Sequence, residues 1–357
     1  MNADERFMHA ALHMAGRGLG RVWPNPAVGC FIVKDNRVIA RARTADGGRP
    51  HAETAALEQA GAEAEGATAY VTLEPCAHEG ETPSCAKALI HAKIKKAVIG
   101  TIDPDPRTAG KGIEELKNAG IEVVTGVLEP ECKAINAGFI MRIIKSRPLI
   151  CLKAACTGEG YLTPPEGRWI SGQTALGDVH LRRRKYDAIL IGIGTALEDD
   201  PMLTPRLPGF NDAPVRIVLD SDLRLPATSN LARSAGIIPL WVIYAHDRQE
   251  NAKELEKVGA RLLKSPRHDL GAALKLLARE GITRLMVEGG PTIHKAFMDA
   301  GLYDDISLYR SRKIESGQGE PVFSTENLRK RVAAQGLVPL KTREIEQDSL
   351  EIYRRKV

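Results

Sequence analysis

Little in this 357-residue sequence points to a membrane, an export route or a disulfide framework. No apolar run approaches the roughly 18 residues that a bilayer-spanning helix needs. The opening stretch, MNADERFMHAALHMAG, carries acids and has no signal-peptide apolar core, so a cytoplasmic protein is expected. Cysteines number only six, too few to staple a chain of this length; clustered cysteines in a reducing compartment more often bind metal or do chemistry. Aromatic residues make up 4% and the formal charge is +5, spread out apart from a basic run at 182–185 that reads as a solvated helix face. Neither a nucleic-acid partner nor a membrane partner is therefore expected. What remains is an ordinary globular composition, 43% hydrophobic and 27% charged, in a chain longer than one core usually serves, which predicts two domains. A symmetric homo-oligomer is the base-rate expectation for such a protein.

A helix is predicted over 7–15, with Phe7, Ala11, Met14 and Ala15 on one face, broken by Gly16, Gly18, Gly20 and Pro24. Strands at 28–33 and 38–42 flank Asp35-Asn36, a hairpin signature. Helices at 51–60, 85–92 and 113–119 then alternate with strands at 69–73, 97–101 and 121–125, which implies an α/β layer structure with a largely parallel sheet. A connecting helix is predicted over 129–146, and Arg147-Pro148 opens a new strand at 149–154, so the domains are set at 1–146 and 147–357. The second half repeats the α/β logic, with strands at 188–193, 215–219, 240–244 and 284–287. Loops rich in Pro, Gly and Asp, such as 195–212, follow strand ends, where open α/β sheets bind ligands. The tail beyond Leu337 reads as a final strand region, and no internal repeat or low-complexity segment occurs.

His51-Ala52-Glu53 stands at the start of a predicted helix, Pro75-Cys76 follows a predicted strand, and Cys85 opens the next helix. Any one of these residues alone reads as a helix cap or a small buried side chain. Together, one histidine and two cysteines make a three-ligand site with an open fourth position, which suits catalytic zinc rather than a closed structural site. Helix N-termini also favour the thiolate form of cysteine. Glu53, two residues from a ligand, is placed to shuttle a proton from water to departing ammonia, as in the H-x-E with P-C-x-x-C signature of zinc deaminases. Here eight residues instead of two separate Cys76 from Cys85. The other cysteines, Cys30, Cys132, Cys151 and Cys156, share no such spacing and read as core or cofactor-pocket packing.

The stretch from Glu74 to Cys85 resembles the form found in riboflavin-pathway deaminases. Further matches are Pro24-Asn25-Pro26-Ala27-Val28-Gly29-Cys30, Asp103-Pro104-Asp105-Pro106, Trp169-Ile170-Ser171, Gly194-Thr195 with Asp199-Asp200-Pro201, Leu219-Asp220-Ser221 and Val287-Glu288-Gly289-Gly290. On these the chain resembles, nearly end to end, the bifunctional riboflavin-biosynthesis deaminase-reductase family. The resemblance implies a cytidine-deaminase-like α/β/α domain followed by a dihydrofolate-reductase-like α/β domain. It also implies two steps: deamination of 2,5-diamino-6-(5-phosphoribosylamino)pyrimidin-4(3H)-one, then NADPH reduction of the ribosyl group to ribityl. Three departures occur: Thr44 and Glu81 stand where the family usually has a histidine and a basic residue, and Thr157-Gly158-Glu159-Gly160 replaces Ser-Leu-Asp-Gly. The first two motivate an alternative, a reductase whose front domain keeps zinc but deaminates poorly.

Hydride transfer leaves few loud motifs, because the nicotinamide supplies the chemistry. Glu288-Gly289-Gly290 runs from a predicted strand into a helix at 291–298, offering bare N–H groups to a pyrophosphate, although two glycines after a strand are also an ordinary tight turn. Gly192-x-Gly194 lacks a third glycine and is no Rossmann fingerprint. The resemblance implies cofactor contacts at Cys156, Trp169, Thr195, Asp199, Ser221, Gly290, Pro291, Thr292, Ile293, His294, Lys295 and Ala296. It implies substrate contacts at Asn25, Gly167, Arg183, Leu203, Arg206 and Glu288. Arg183 and Arg206 suit phosphate through the guanidinium fork. Lys153 faces the sugar or pairs with Glu288.

Overall fold

The computed structural model describes residues 1–77, 83–106, 108–166, 170–209 and 212–355. The chain divides into two compact units, Met1–Arg147 and Pro148–Val357. Trp169, Gly167 and Glu81 lie outside the described residues.

The first unit runs α1 (Ala3–Gly16), β1 (Gly29–Lys34), β2 (Arg37–Arg43), α2 (Ala52–Ala60), β3 (Thr68–Val71), α3 (Cys85–His91), β4 (Lys96–Ile99), α4 (Lys111–Asn118), β5 (Glu122–Thr125), α5 (Glu129–Ile135) and α6 (Ala137–Lys145). Helix α1 starts in a capping box: Asn2 accepts from the Glu5 N–H at 2.8 Å while the Glu5 carboxylate accepts from the Asn2 N–H at 2.9 Å. Its apolar stripe packs with Phe31, Val33, Tyr70 and Val98 on one face of the sheet. The alternate strand residues Cys30, Ile32, Ala69, Val71 and Ile99 meet Ala52, Ala56, Leu89, Ile113 and Leu116 of α2, α3 and α4 on the other. The result is an α/β/α sandwich.

Sheet order is β2-β1-β3-β4-β5. Only β3, β4 and β5 pair in parallel. β1 is antiparallel to both β2 and β3, so the expected largely parallel sheet is half antiparallel. The cause is the hairpin: Asp35 and Asn36 both hold positive φ, 48° and 61°, the pair of left-handed residues that a tight two-residue turn requires. The single helix expected over 129–146 is broken at Asn136, where φ −95° and ψ 10° leave the helical range.

The second unit runs β6 (Leu149–Cys156), α7 (Gln173–Arg183), β7 (Ala188–Gly192), α8 (Ile193–Asp199), β8 (Val215–Leu219), α9 (Asn230–Arg233), β9 (Leu240–Tyr244), α10 (Gln249–Lys257), β10 (Arg261–Lys264), α11 (Leu270–Arg279), β11 (Arg284–Glu288), α12 (Pro291–Asp299), β12 (Asp305–Ser311), α13 (Thr325–Gln335), β13 (Leu337–Ile345) and β14 (Asp348–Arg355). The sheet order is β10-β9-β8-β7-β11-β6-β12-β14-β13. Strands β10 through β12 in that order are parallel, and the tail forms an antiparallel hairpin beside β12. Central strands such as AILIG in β7 and VRIVL in β8 are almost wholly buried, as parallel strands covered on both faces must be. The loop expected over 195–212 is helical up to Asp199; the left-handed Asp200, φ 41°, ends α8.

Candidate functional site

In the first unit three elements converge. His51 is the N-cap of α2, with extended backbone at φ −68° and ψ 159°. Cys85 is the first residue of α3, whose N-cap Ser84 accepts from the Lys87 N–H at 3.2 Å. Cys76 sits in the turn beyond β3 and accepts from the Cys85 N–H at 3.3 Å. His51 Nδ1 lies 3.3 Å from Cys85 Sγ and 3.8 Å from Cys76 Sγ. All three ligand atoms fall within 4.8 Å of one another. These separations are the edges of a tetrahedron whose centre is about 2.0–2.3 Å from each donor, the bond lengths zinc makes to nitrogen and thiolate. The donor set therefore fits zinc, and among the described residues no fourth histidine, cysteine or carboxylate joins the group.

Within the constellation the Cys76 thiol is pulled down to about 4, first by hydrogen bonding from Cys85 and, against burial, by His51; the Cys85 thiol is pushed up, chiefly by its bond to Cys76. Glu53, in the first turn of α2, is 3% exposed, and burial pushes its carboxyl up to about 7. It shares a cavity of ≈ 80 Å³ with His51, Cys76, Asn25, Thr44 and Asp103. Asn25 donates from Nδ2 to the Gly48 carbonyl at 3.1 Å. Gly48 holds φ 90°, and a Cβ there would stand 2.2 Å from Asn25 Nδ2, so only glycine lets this contact form.

Thr44 stands in the cavity wall with its hydroxyl fully used: it accepts from the Val28 N–H at 3.0 Å and donates to the Pro26 carbonyl at 3.0 Å. The residue thus ties down the loop that carries Asn25. Glu74, which in the sequence is no more than the first residue of the 74–85 stretch, organises the opposite wall. Its carboxylate accepts from the N–H groups of Asp103 (3.2 Å), Gly110 (3.0 Å) and Ile113 (3.2 Å). Asp103, beside it, is pushed up to about 6 by burial. The one signal for Glu74 is its place immediately before Pro75-Cys76, where a buried acid has no role unless backbone donors meet it.

In the second unit the C-terminal end of β11 and the middle of β6 bring Glu288 and Lys153 side by side, in register. Glu288 takes a bidentate pair from Arg183 of α7, Nε at 2.7 Å and Nη2 at 3.0 Å, and Lys153 Nζ lies 3.4 Å away. Burial would raise the Glu288 carboxyl, yet the two cations hold it at about 2. Arg183 also donates to the Thr204 carbonyl at 3.1 Å. Its guanidinium is thereby fixed by protein partners at Nε, Nη1 and Nη2. Arg206 is exposed, and its N–H meets His180 Nδ1 at 3.4 Å. Leu203 is buried with φ 55°.

Around the glycine turn, Gly290 donates from its N–H to Thr195 Oγ1 at 3.1 Å, joining the ends of β11 and β7. Gly290 caps α12 with no side-chain cap bond, and Pro291 follows, so the N–H groups of the first turn at Thr292 and Ile293 face outward in the way phosphate-binding helix starts require. A Cβ on Gly289 would stand 2.0 Å from Ile293 Cγ2. The turn fits a pyrophosphate. His294, by contrast, is fully buried, with Nδ1 3.1 Å from the Gly290 carbonyl and Nε2 3.1 Å from the Lys153 carbonyl, so its ring is not a cofactor contact. Lys295 and Ala296 are exposed, and Lys295 lies 3.6 Å from Asp299. Ser221 is half-buried beyond β8, Asp199 is exposed at the end of α8, and Cys156 is wholly buried like the other non-ligand cysteines.

Fold and sites together define a deaminase-type metal unit joined to a reductase-type nucleotide unit. Residues 1–101 match the cytidine and deoxycytidylate deaminase zinc-binding region, and residues 148–352 match the RibD C-terminal domain. The chain is 40% identical over 318 residues to the riboflavin biosynthesis protein RibD of Aquifex aeolicus, covering 88% of each. To RibD of Escherichia coli it is 36% identical over 345 residues, covering 92% of each. Among solved structures it superposes on a diaminohydroxyphosphoribosylaminopyrimidine deaminase/5-amino-6-(5-phosphoribosylamino)uracil reductase from Thermotoga maritima with TM-score 0.87, 34% identity and 99% coverage of both chains. On Acinetobacter baumannii RibD the TM-score is 0.85 at 35% identity, again with 99% of both chains covered. The chain belongs to the RibD family of riboflavin biosynthesis proteins, and it is an enzyme carrying both the deaminase and the reductase domain. The reductase-only alternative is not favoured.

Proposed function

We propose that the first unit removes the ring amino group of 2,5-diamino-6-(5-phosphoribosylamino)pyrimidin-4(3H)-one, giving 5-amino-6-(5-phosphoribosylamino)uracil. The second unit then reduces the ribosyl group with NADPH to give 5-amino-6-(5-phosphoribitylamino)uracil. The observation that carries the first step is the cluster of His51, Cys76 and Cys85, two of which line one cavity together with Glu53. Held by the three ligands, zinc would supply the Lewis acidity that makes water nucleophilic near neutrality. Glu53 takes the proton released by that water and delivers it to the departing amino nitrogen, while Asn25 orients the pyrimidine edge. In the second unit the glycine turn before α12 seats the cofactor pyrophosphate and α12 presents its positive end. Glu288 fixes Lys153 and Arg183 beside the ribosyl carbon, which in its ring-opened imine form would accept hydride from NADPH while the imine nitrogen takes up a proton, and Arg206 meets the substrate phosphate. The cytoplasm suits the six free thiols.

The test measures ammonia release and NADPH oxidation separately. Glu53→Gln should abolish ammonia release while leaving zinc content and NADPH oxidation, with the deaminated intermediate supplied, at the parent level. Ammonia release at parental rate in that variant would remove Glu53 from the chemistry.

A further inference from the structure

The pyrimidine assigned to the first unit carries a phosphate, and none of the residues given a role there meets it. The cavity around Glu53 is lined by four acids, Glu53, Glu74, Asp103 and Asp105, all of them buried, and among the described residues by a single lysine or arginine, Arg49. A dianion approaching a wall of that composition is repelled unless a cation stands where its charge comes to rest. Glu81, which takes the place of the basic residue usual in the family, cannot supply one. Two other arginines near Arg49 in the sequence, Arg21 and Arg43, are not in the cavity wall and turn to Asp46, at 3.6 Å and 2.7 Å.

Burial gives the cavity a direction. Glu53 and Thr44 are buried, Asn25 is half-buried and Arg49 is exposed, so the zinc ligands and Glu53 mark the inner end and Arg49 the mouth. The amino group to be lost, at ring position 2, belongs at the inner end. The phosphoribosylamino group, at ring position 6, then points outward. Backbone bonds fix the origin of the Arg49 side chain at that mouth: the Gly48 carbonyl, in the peptide that links Gly48 to Arg49, accepts from Asn25 Nδ2 at 3.1 Å, and the Pro50 carbonyl accepts from the Ala45 N–H at 3.0 Å. Asn25 therefore ties the pyrimidine edge and Arg49 into one frame. We propose that Arg49 binds the substrate phosphate in the first unit and is the residue by which the deaminase selects the phosphorylated pyrimidine over the free riboside. A guanidinium presents two parallel N–H donors that match two phosphate oxygens, and its charge offsets the acids behind it. This inference rests on the deaminase reading of the first unit.

The experiment measures ammonia release by the full chain from the phosphorylated pyrimidine and from its dephosphorylated riboside. The parent should show the lower KM for the phosphorylated compound, with an advantage that shrinks as salt rises, because an exposed ion pair is screened. Arg49→Ala should raise that KM about tenfold while kcat changes less than about twofold; Arg49→Lys should recover part of the loss, and Arg49→Glu should lose more. Zinc content, and NADPH oxidation with the deaminated intermediate supplied, should stay at the parent level in each variant. The same ratio of the two KM values in the parent and Arg49→Ala, or a parent with no preference for the phosphate, overturns the assignment while the deaminase reading stands. A parent that releases ammonia from neither compound overturns both. Since Arg49 is exposed and its backbone is ordinary extended chain, φ −141° and ψ 145°, its replacement does not threaten folding.

Discussion

Replacing Glu288 by glutamine removes one charge and almost no volume, so the variant isolates the work of that charge. The carboxylate side chain is 9% exposed and stands against Arg183 at 2.7 Å and Lys153 at 3.4 Å, whose side chains are 10% and 14% exposed. A carboxyl held at about 2 instead of the ordinary 4.5 prefers its charged form by about 3 kcal/mol. Glutamine leaves two buried cations without a counter-charge, and removing one partner of such a group destabilises by roughly 3–5 kcal/mol. Sign comes from the depressed value: the stabilisation is present above the unfolded carboxyl value near 4.5 and is lost as pH falls from there through about 2. Urea unfolding of the full chain between pH 3 and pH 7 should show the second unit of Glu288→Gln melting at lower urea, with a gap from the parent that narrows below pH 4.5. NADPH oxidation should fall at least about a hundredfold, and ammonia release should be untouched. A loss below about 1 kcal/mol with the same pH profile as the parent would refute the idea that this carboxylate neutralises the cluster.

Three further outcomes concern the first unit. Cys85→Ala should release zinc, read by metal analysis, and lower the unfolding temperature of that unit, because metal that binds only the folded state stabilises it; NADPH oxidation should persist. A chelator applied to the parent should reproduce the same shift, and retained zinc in the variant would exclude Cys85 as a ligand. Thr44→Val keeps the volume but strips the Val28 N–H of its buried acceptor, a loss of about 1–3 kcal/mol by urea unfolding. Because the freed loop carries Asn25, KM for deamination should rise more than kcat falls, and unchanged stability would show that the hydroxyl is not needed there.

Much of the fold is readable in the sequence because its strands are uniform. β7 and β9 are apolar runs of five residues and β8 departs from that only at Arg216, which is buried and bonded to Ser234, as befits parallel strands covered on both faces. The hairpin is readable because Asp35-Asn36 is among the few pairs that accept two left-handed residues. α8 is not, because Gly194 and its acidic end, Glu198-Asp199-Asp200, read as loop, while its packing rests on a single buried residue, Ala196. The metal site is legible for a chemical reason: zinc admits few ligand types, so their order and spacing carry the site. No such restriction applies to the Arg183–Glu288 pair, whose members are 105 residues apart and meet only where the last residue of α7 reaches the last residue of β11. The sequence offers Arg183 as a phosphate partner; the fold adds a carboxylate that fixes its guanidinium.

Both units place their chemistry at a junction between a strand or loop and the first turn of a helix, and the reason is physical. A strand end is fixed by the sheet, so a side chain there has a defined origin, while the first turn of a helix brings unpaired N–H groups and a partial positive charge. In the first unit the start of α3 offers the Cys85 N–H to Cys76, whose sulfur is favoured in the thiolate form that metal binding demands. In the second the same charge faces a pyrophosphate across Gly290. The scaffold then needs residues with no reactive group at all: Gly48 so that Asn25 reaches its carbonyl, and Gly289 so that Ile293 packs under the turn. These glycines are as much a part of each site as Glu53 or Glu288, since a methyl group at either position displaces the side chain or turn on which the chemistry depends.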